Sequence, residues 1–127
     1  MKVLTIREPF ATLIKDKVKI YETRSWKTNY RGKIYIHAAK AKSKASNVGI
    51  ASTYLKSKKN PEHIICKCIL KNCIYMTEEF INEVKKRPEE YNSGHYEIGR
   101  YAWELEVIEV LENPICAKGQ LGIWNFN

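Results

Sequence analysis

No apolar run in the 127 residues approaches the roughly eighteen needed to cross a bilayer, which excludes a membrane-spanning helix. Met1 to Arg7 lacks the long apolar core of a secretory leader and reads directly as a strand, so a cytoplasmic setting and no membrane partner are expected. Cysteine is sparse: Cys66, Cys68, Cys73 and Cys116 contain no C-x-x-C pair, and no histidine lies at ligand spacing. That pattern argues against a zinc site and a disulfide framework. The four thiols are read as small buried hydrophobes in a reducing compartment, and neither metal nor organic cofactor is called for. Acidic residues are scarce in one region only. Residues 1–76 hold 4 Asp/Glu against 17 Lys/Arg, whereas residues 77–127 hold 10 against 5. A basic portion of this kind suits nucleic acid or an acidic protein partner, although lysines that merely solvate the surface would give the same count.

Repeats, a linker and a low-complexity tail are also missing, so one domain over residues 1–127 is expected, large enough to bury a core. Val3 to Ile6 is a short strand. Pro9 opens a helix whose Phe10, Leu13 and Ile14 share a face through about Asp16. Lys19 to Trp26 and Lys33 to Ala39 are strands separated by turn residues ending in Gly32. Lys40 to Ser46 reads as mobile and Val48 to Leu55 as loosely helical. Ile64 to Tyr75 is a long strand, and Thr77 caps a helix to about Arg87. Glu89 to Gly99 reads as a polar loop. Tyr101 to Val107 alternates cleanly and loses its pattern at Ile108-Glu-Val110, which predicts a bulge or bend before Asn113-Pro114 ends the strand. Gly119 to Phe126 makes a last strand. The count is about six strands and three helices without regular βαβ alternation: an α+β curved β-barrel decorated by helices.

The most informative segment is Lys19-Ile-Tyr-Glu-Thr-Arg-Ser-Trp26, followed by Tyr30-Arg31-Gly32-Lys33-Ile-Tyr-Ile-His37-Ala38. A strand period of two puts Ile20, Glu22, Arg24 and Trp26 on one face. Buried charges cost several kcal/mol each unless paired, so Glu22 and Arg24 form either a structural ion pair or the floor of a polar pocket. The same segment offers Lys19, Arg24, Lys27, Arg31 and Lys33 as cations, with Tyr30, Tyr35 and Trp26 as aromatics. Phosphate pairing, base stacking and an acceptor such as Glu22 for an exocyclic amine are what a nucleic-acid pocket needs. Trp26, Trp103 and Trp124 each sit in an alternating strand and are read as core rather than as a ligand platform. His37 shares a strand face with Tyr35 and is read either as a contact or as a structural hydrogen-bonding residue.

Taken in order, Leu4-Thr-Ile-Arg-Glu-Pro-Phe-Ala-Thr-Leu-Ile14, Lys19…Glu22-Thr-Arg24-Ser-Trp26, Tyr30 to Ala38, Tyr101-Ala-Trp103-Glu-Leu105 and Pro114-Ile…Lys118-Gly119-Gln-Leu-Gly122-Ile-Trp124 resemble an ASCH domain of the PUA-like superfamily. The resemblance implies a PUA-like curved β-barrel with a cleft beside the K-x-x-E-x-R motif, in a superfamily many of whose members bind RNA or a modified base. Lys118 and Gln120, flanking Gly119, are brought toward that cleft by the family pattern. The function expected is nucleic-acid binding, with single-stranded or structured RNA as partner, through Lys19, Glu22, Arg24, Lys27, Tyr30, Arg31, Lys33, His37, Lys118 and Gln120. Two alternatives stay open. One is a hydrolase of the same fold, either a 4-acetylcytidine-type amidohydrolase or a ribonuclease, with Lys19 and Glu22 as the catalytic pair. The amidohydrolase branch has a threonine where this chain has Glu22, and its distal glutamate aligns near Lys67. The other is a coactivator-type module that docks an acidic protein.

Overall fold

Val3, Leu4 and Ile6 lose their apolar surface to the interior in β1 (Lys2–Glu8), which runs parallel to one neighbour and has a short edge strand on its other side. The structure is a computed structural model and describes residues 1–42 and 61–127. Helix α1 (Phe10–Lys15) follows at once, burying Ala11, Leu13 and Ile14. Pro9 stands just before the helix and offers no capping side chain; Glu8 does that work instead, accepting from the Thr12 amide at 2.9 Å and the Thr12 hydroxyl at 2.7 Å. Next come β2 (Tyr21–Arg24), β3 (Gly32–Lys42) and β4 (His63–Tyr75). Thr77 caps α2 (Glu78–Lys85) by accepting from the Phe80 amide at 3.1 Å, as its sequence position predicts. Helix α3 (Pro88–Asn92), β5 (Tyr101–Cys116) and β6 (Ile123–Asn125) complete the order.

Among the described residues, six strands and three helices give the α+β architecture expected of a PUA-like fold. The sheet order is β2-β5-β4-β3-β1-β6, with β1 and β3 parallel and every other pair antiparallel. The sheet is curled but not closed by strand pairing: β2 and β6 are its two edges. The main core lies inside the curl. Leu4, Ile6, Ile34, Ile36, Leu70 and Trp103 meet there under α1.

Several local expectations needed correction. The stretch Glu89 to Gly99 is not all loop, because Pro88 with Glu89 and Glu90 starts α3. Lys40 to Lys42 belongs to β3, where Lys42 pairs with Glu8. Strand β5 runs through Asn113-Pro114 to Cys116. A proline is tolerated there because β2 covers β5 only from Tyr101 to Glu104 and no β4 residue is in register with Pro114. The bulge is where the pattern slips: Cys68 faces Val107 and Lys67 faces Glu109, leaving Ile108 as an extra residue, half out in solvent. Cys66 and Cys68 are buried in the core as read, whereas Cys73 is half-buried and Cys116 exposed; all four thiols are free. Trp103 and Trp124 are core residues, but Trp26 is 41 % exposed, its ring standing edge-on to Trp103 at 4.7 Å. The helical reading of Val48 to Leu55 and the basic position Lys44 lie outside the described residues.

Candidate functional site

Strand β2 has a partner on one side only, so its other side is satisfied by side chains. Glu22 and Arg24 project from the same face, as the strand period predicts, and pair with Nε 2.8 Å from Oε2. The guanidinium also donates through Nη2 to the carbonyl of Thr5, 2.9 Å away on β1, and sits 5.8 Å from the Trp103 ring centroid. Two of its five N–H donors are thereby used, and the pair is mostly shielded from solvent.

Lys19 enters just before β2 with its side chain turned inward, 2 % exposed. Its Nζ has no hydrogen-bond partner among the described residues; it lies 3.9 Å from Oε2 of Glu90 and 5.7 Å from the Phe10 ring centroid. Burial lowers its pKa, and the nearby carboxylates of Glu22 and Glu90 oppose that shift only in part. Glu90, from α3, is itself buried. Its two oxygens accept from the consecutive amides of Ile20, at 2.8 Å, and Tyr21, at 3.1 Å, taking the place a neighbouring strand would occupy. The Tyr96 hydroxyl stands 3.5 Å from the same carboxylate, and burial, then that negative charge, pushes its pKa up.

A cleft of about 760 Å³ opens over this arrangement. Its floor is Glu22, Thr23 and Arg24 of β2 facing Thr5, Ile6 and Arg7 of β1. One wall is the segment Asn92 to His95 with Arg100, and the other is Gln120 to Gly122. The first wall is fixed to β2: the His95 amide donates to Thr23 Oγ1 at 3.0 Å, and Arg100 Nε donates to the His95 carbonyl at 2.9 Å. Gly94 is required by that approach, because a Cβ there would fall 2.7 Å from the Tyr96 ring and 3.0 Å from the Thr23 methyl. The second wall is fixed to β1 and β3. His37 Nε2 donates to the Ala117 carbonyl at 2.6 Å, and a Cβ on Gly119 would press on His37 and Thr5 at 3.0 and 3.1 Å.

The ASCH domain family model matches residues 4–115. This chain belongs to the ASCH domain family. No curated protein matches it. Membership suggests a nucleic-acid-related module in general terms.

Within this ASCH domain the sequence-predicted residues do not all converge. Glu22, Arg24 and Gln120 line the cleft. Lys19 is buried beside Glu22 and Glu90 and does not line it. His37 is fully buried and acts through its bond to Ala117, the structural role that the sequence left open. Lys27, Arg31 and Lys33 are exposed elsewhere. Arg31 Nη1 donates to the carbonyls of Thr28 and Tyr30, and the Tyr30 hydroxyl donates to the Lys33 carbonyl, so these residues mainly shape the turn into β3. Gly32 precedes cleft-lining Ala39 by seven strand positions, roughly 20 Å. Lys118 is exposed on the Ala117–Gln120 segment and outside the cleft lining. The carboxylate that meets the lysine comes from Glu90, not from near Lys67; Lys67 instead lies 5.7 Å from the Tyr35 ring centroid on β4. Sequence reading also passed over Arg7, His95, Arg100 and Leu121. For Arg7 and Glu90 a signal existed: an arginine between buried Ile6 and Glu8, and a proline followed by two glutamates. Among the described residues no group of three or more His, Cys, Asp or Glu could hold a metal ion, and no helix is long and apolar enough to cross a membrane.

Proposed function

We propose that this ASCH domain binds RNA by taking an unpaired base into the cleft between β1, β2 and the Asn92–His95 wall. The observation that carries the reading is the shielded Glu22–Arg24 pair on the floor of a cavity of about 760 Å³, within the size range of small-molecule sites. Glu22 Oε2 is engaged by Arg24. Its other oxygen serves as an acceptor for an exocyclic amine on a base edge. Arg7 and Arg100 line the same cavity, so three arginines with Arg24 outnumber the one carboxylate and favour the adjoining phosphates. Lys27, Arg31, Lys33 and Lys118 extend the basic surface beyond the cleft and serve the backbone of a longer strand. Four free thiols suit a reducing, cytoplasmic setting.

Labelled single-stranded RNA titrated across a salt series, with every sample checked for cleavage, tests this directly. Binding that falls steeply with salt, leaves the RNA intact and is lost in Arg24→Ala is the expected result. Salt-insensitive binding, or binding unaffected by Arg24→Ala, would sink it.

One observation favours a second reading, hydrolysis of a modified nucleoside or of RNA. A lysine amine with a lowered pKa, 3.9 Å from a buried carboxylate, is a common arrangement for proton transfer. On that reading Lys19 takes or gives the proton and Glu22 polarises the attacking water. Turnover abolished by Lys19→Met in a folded protein would replace the first reading with this one.

A further inference from the structure

Leu121 is 98 % exposed, close to the value for a side chain touching nothing, and it stands in the wall of the cleft. A lone apolar side chain on a slack surface loop would need no explanation. This loop is not slack on the side that leads to Leu121. Ala117 is held by His37 at 2.6 Å, Gly119 sits against Thr5 and His37, and β6 begins at Ile123 with its pairing to Leu4. Between these anchors Gly122 adopts φ +64°, a turn that a side chain would strain, and the space where its Cβ would lie is open. The backbone therefore holds a leucine out in water at the mouth of a cavity, flanked by Gln120, which lines the same cavity. Phe10, half-buried at the start of α1, adds an aromatic surface to the lining.

We infer that Leu121 packs on the flat face of the base that occupies the cleft, so that the Ala117–Gly122 loop selects for a planar group rather than for charge alone. This rests on the RNA reading above. Glu22 and Arg24 address the edge of the ring, and Leu121 covers its face. An aliphatic side chain on a ring face contributes contact area that a ribose-phosphate backbone cannot supply, so the residue discriminates between a base and its absence.

The test titrates wild type, Leu121→Ala, Leu121→Trp and Arg24→Ala with a labelled single-stranded RNA oligonucleotide and with its abasic counterpart. Leu121 makes no fold contacts at 98 % exposure, so its variants are expected to melt with the wild type. The alanine variant should weaken binding of the normal strand by about five- to twentyfold, the size expected for losing most of a leucine contact. Its affinity for the abasic strand should stay at the wild-type value. The tryptophan variant should bind the normal strand at least as tightly and lose indole emission on binding. An alanine variant that binds both strands like wild type, or weakens both equally, overturns the cap. If Arg24→Ala abolishes binding while the Leu121 variants change nothing, only the cap falls. If wild type fails to bind RNA, or Arg24→Ala binds normally, the cleft reading falls and the cap with it.

Discussion

Arg24 on the edge strand β2 donates to the carbonyl of Thr5 on β1, at 2.9 Å, across the one side of the sheet that no strand pair closes. The same guanidinium holds Glu22 at 2.8 Å. One residue thus ties edge strand β2 to β1 and fixes the carboxylate of the cleft floor.

Arg24→Ala should cost about 2–4 kcal/mol of stability, since it leaves the Glu22 charge shielded and unpaired. Replacing both partners with apolar residues, Glu22→Leu with Arg24→Met, should restore most of that loss without restoring RNA binding. Urea unfolding and RNA titration of the two proteins separate the scaffold role from the binding role.

Glu90→Ala should destabilise by about 2–4 kcal/mol, because two partly buried amides, of Ile20 and Tyr21, lose their acceptor together. Glu90→Gln keeps one acceptor oxygen and should lose roughly half as much. Chemical denaturation of both variants checks the order.

Gly94→Ala forces a methyl to within 2.7 Å of the Tyr96 ring, and the expected cost is about 1–3 kcal/mol of overpacking. The ring and the Asn92–His95 wall must shift together, so RNA affinity should fall as well. Thermal melting and the salt-series titration measure the two effects on one sample.

Lys19 supplies a pH signature. Its folded-state pKa lies below the ordinary lysine value of 10.5, mainly through burial, so the unfolded chain binds more protons between the lowered value and 10.5. Stability from this group therefore rises with pH across that window. Lys19→Met removes this titration but also leaves the buried Glu90 carboxylate without its cation, so the variant should lack the wild type's rise in stability with pH. Wild type should gain on the variant as pH approaches 10.5. Urea midpoints of both proteins from pH 6.5 to about 9 follow the trend.

Enrichment in β-forming residues marks β4, and period-two alternation marks the first half of β5, the Ile108 bulge and the shared face of Glu22 and Arg24. These features depend on residues close together in the chain. The cleft walls do not. His95 and Arg100 become site residues because α3 folds back onto β2 through Glu90 and Thr23, contacts spanning some seventy positions. The predicted cations Lys27, Arg31 and Lys33 are near Arg24 in sequence, but Lys27 and Arg31 lie in the connection after β2 and Lys33 at the start of β3, the end away from cleft-lining Ala39. Trp26 alternates like a core residue, yet β2 stops at Arg24 and leaves it half out in solvent.

Each wall of the cleft is riveted by a glycine to a different strand, Gly94 to β2 and Gly119 to β1, and Arg24 bonds β2 to β1 across the open side of the sheet. The width of the opening is therefore governed by the curvature of the sheet rather than by the loops that border it. A substitution deep under α1 that flattens or tightens the curl would act on the aperture at a distance. Ligand preference in this ASCH domain would then shift with core volume, even where every residue touching the ligand is unchanged.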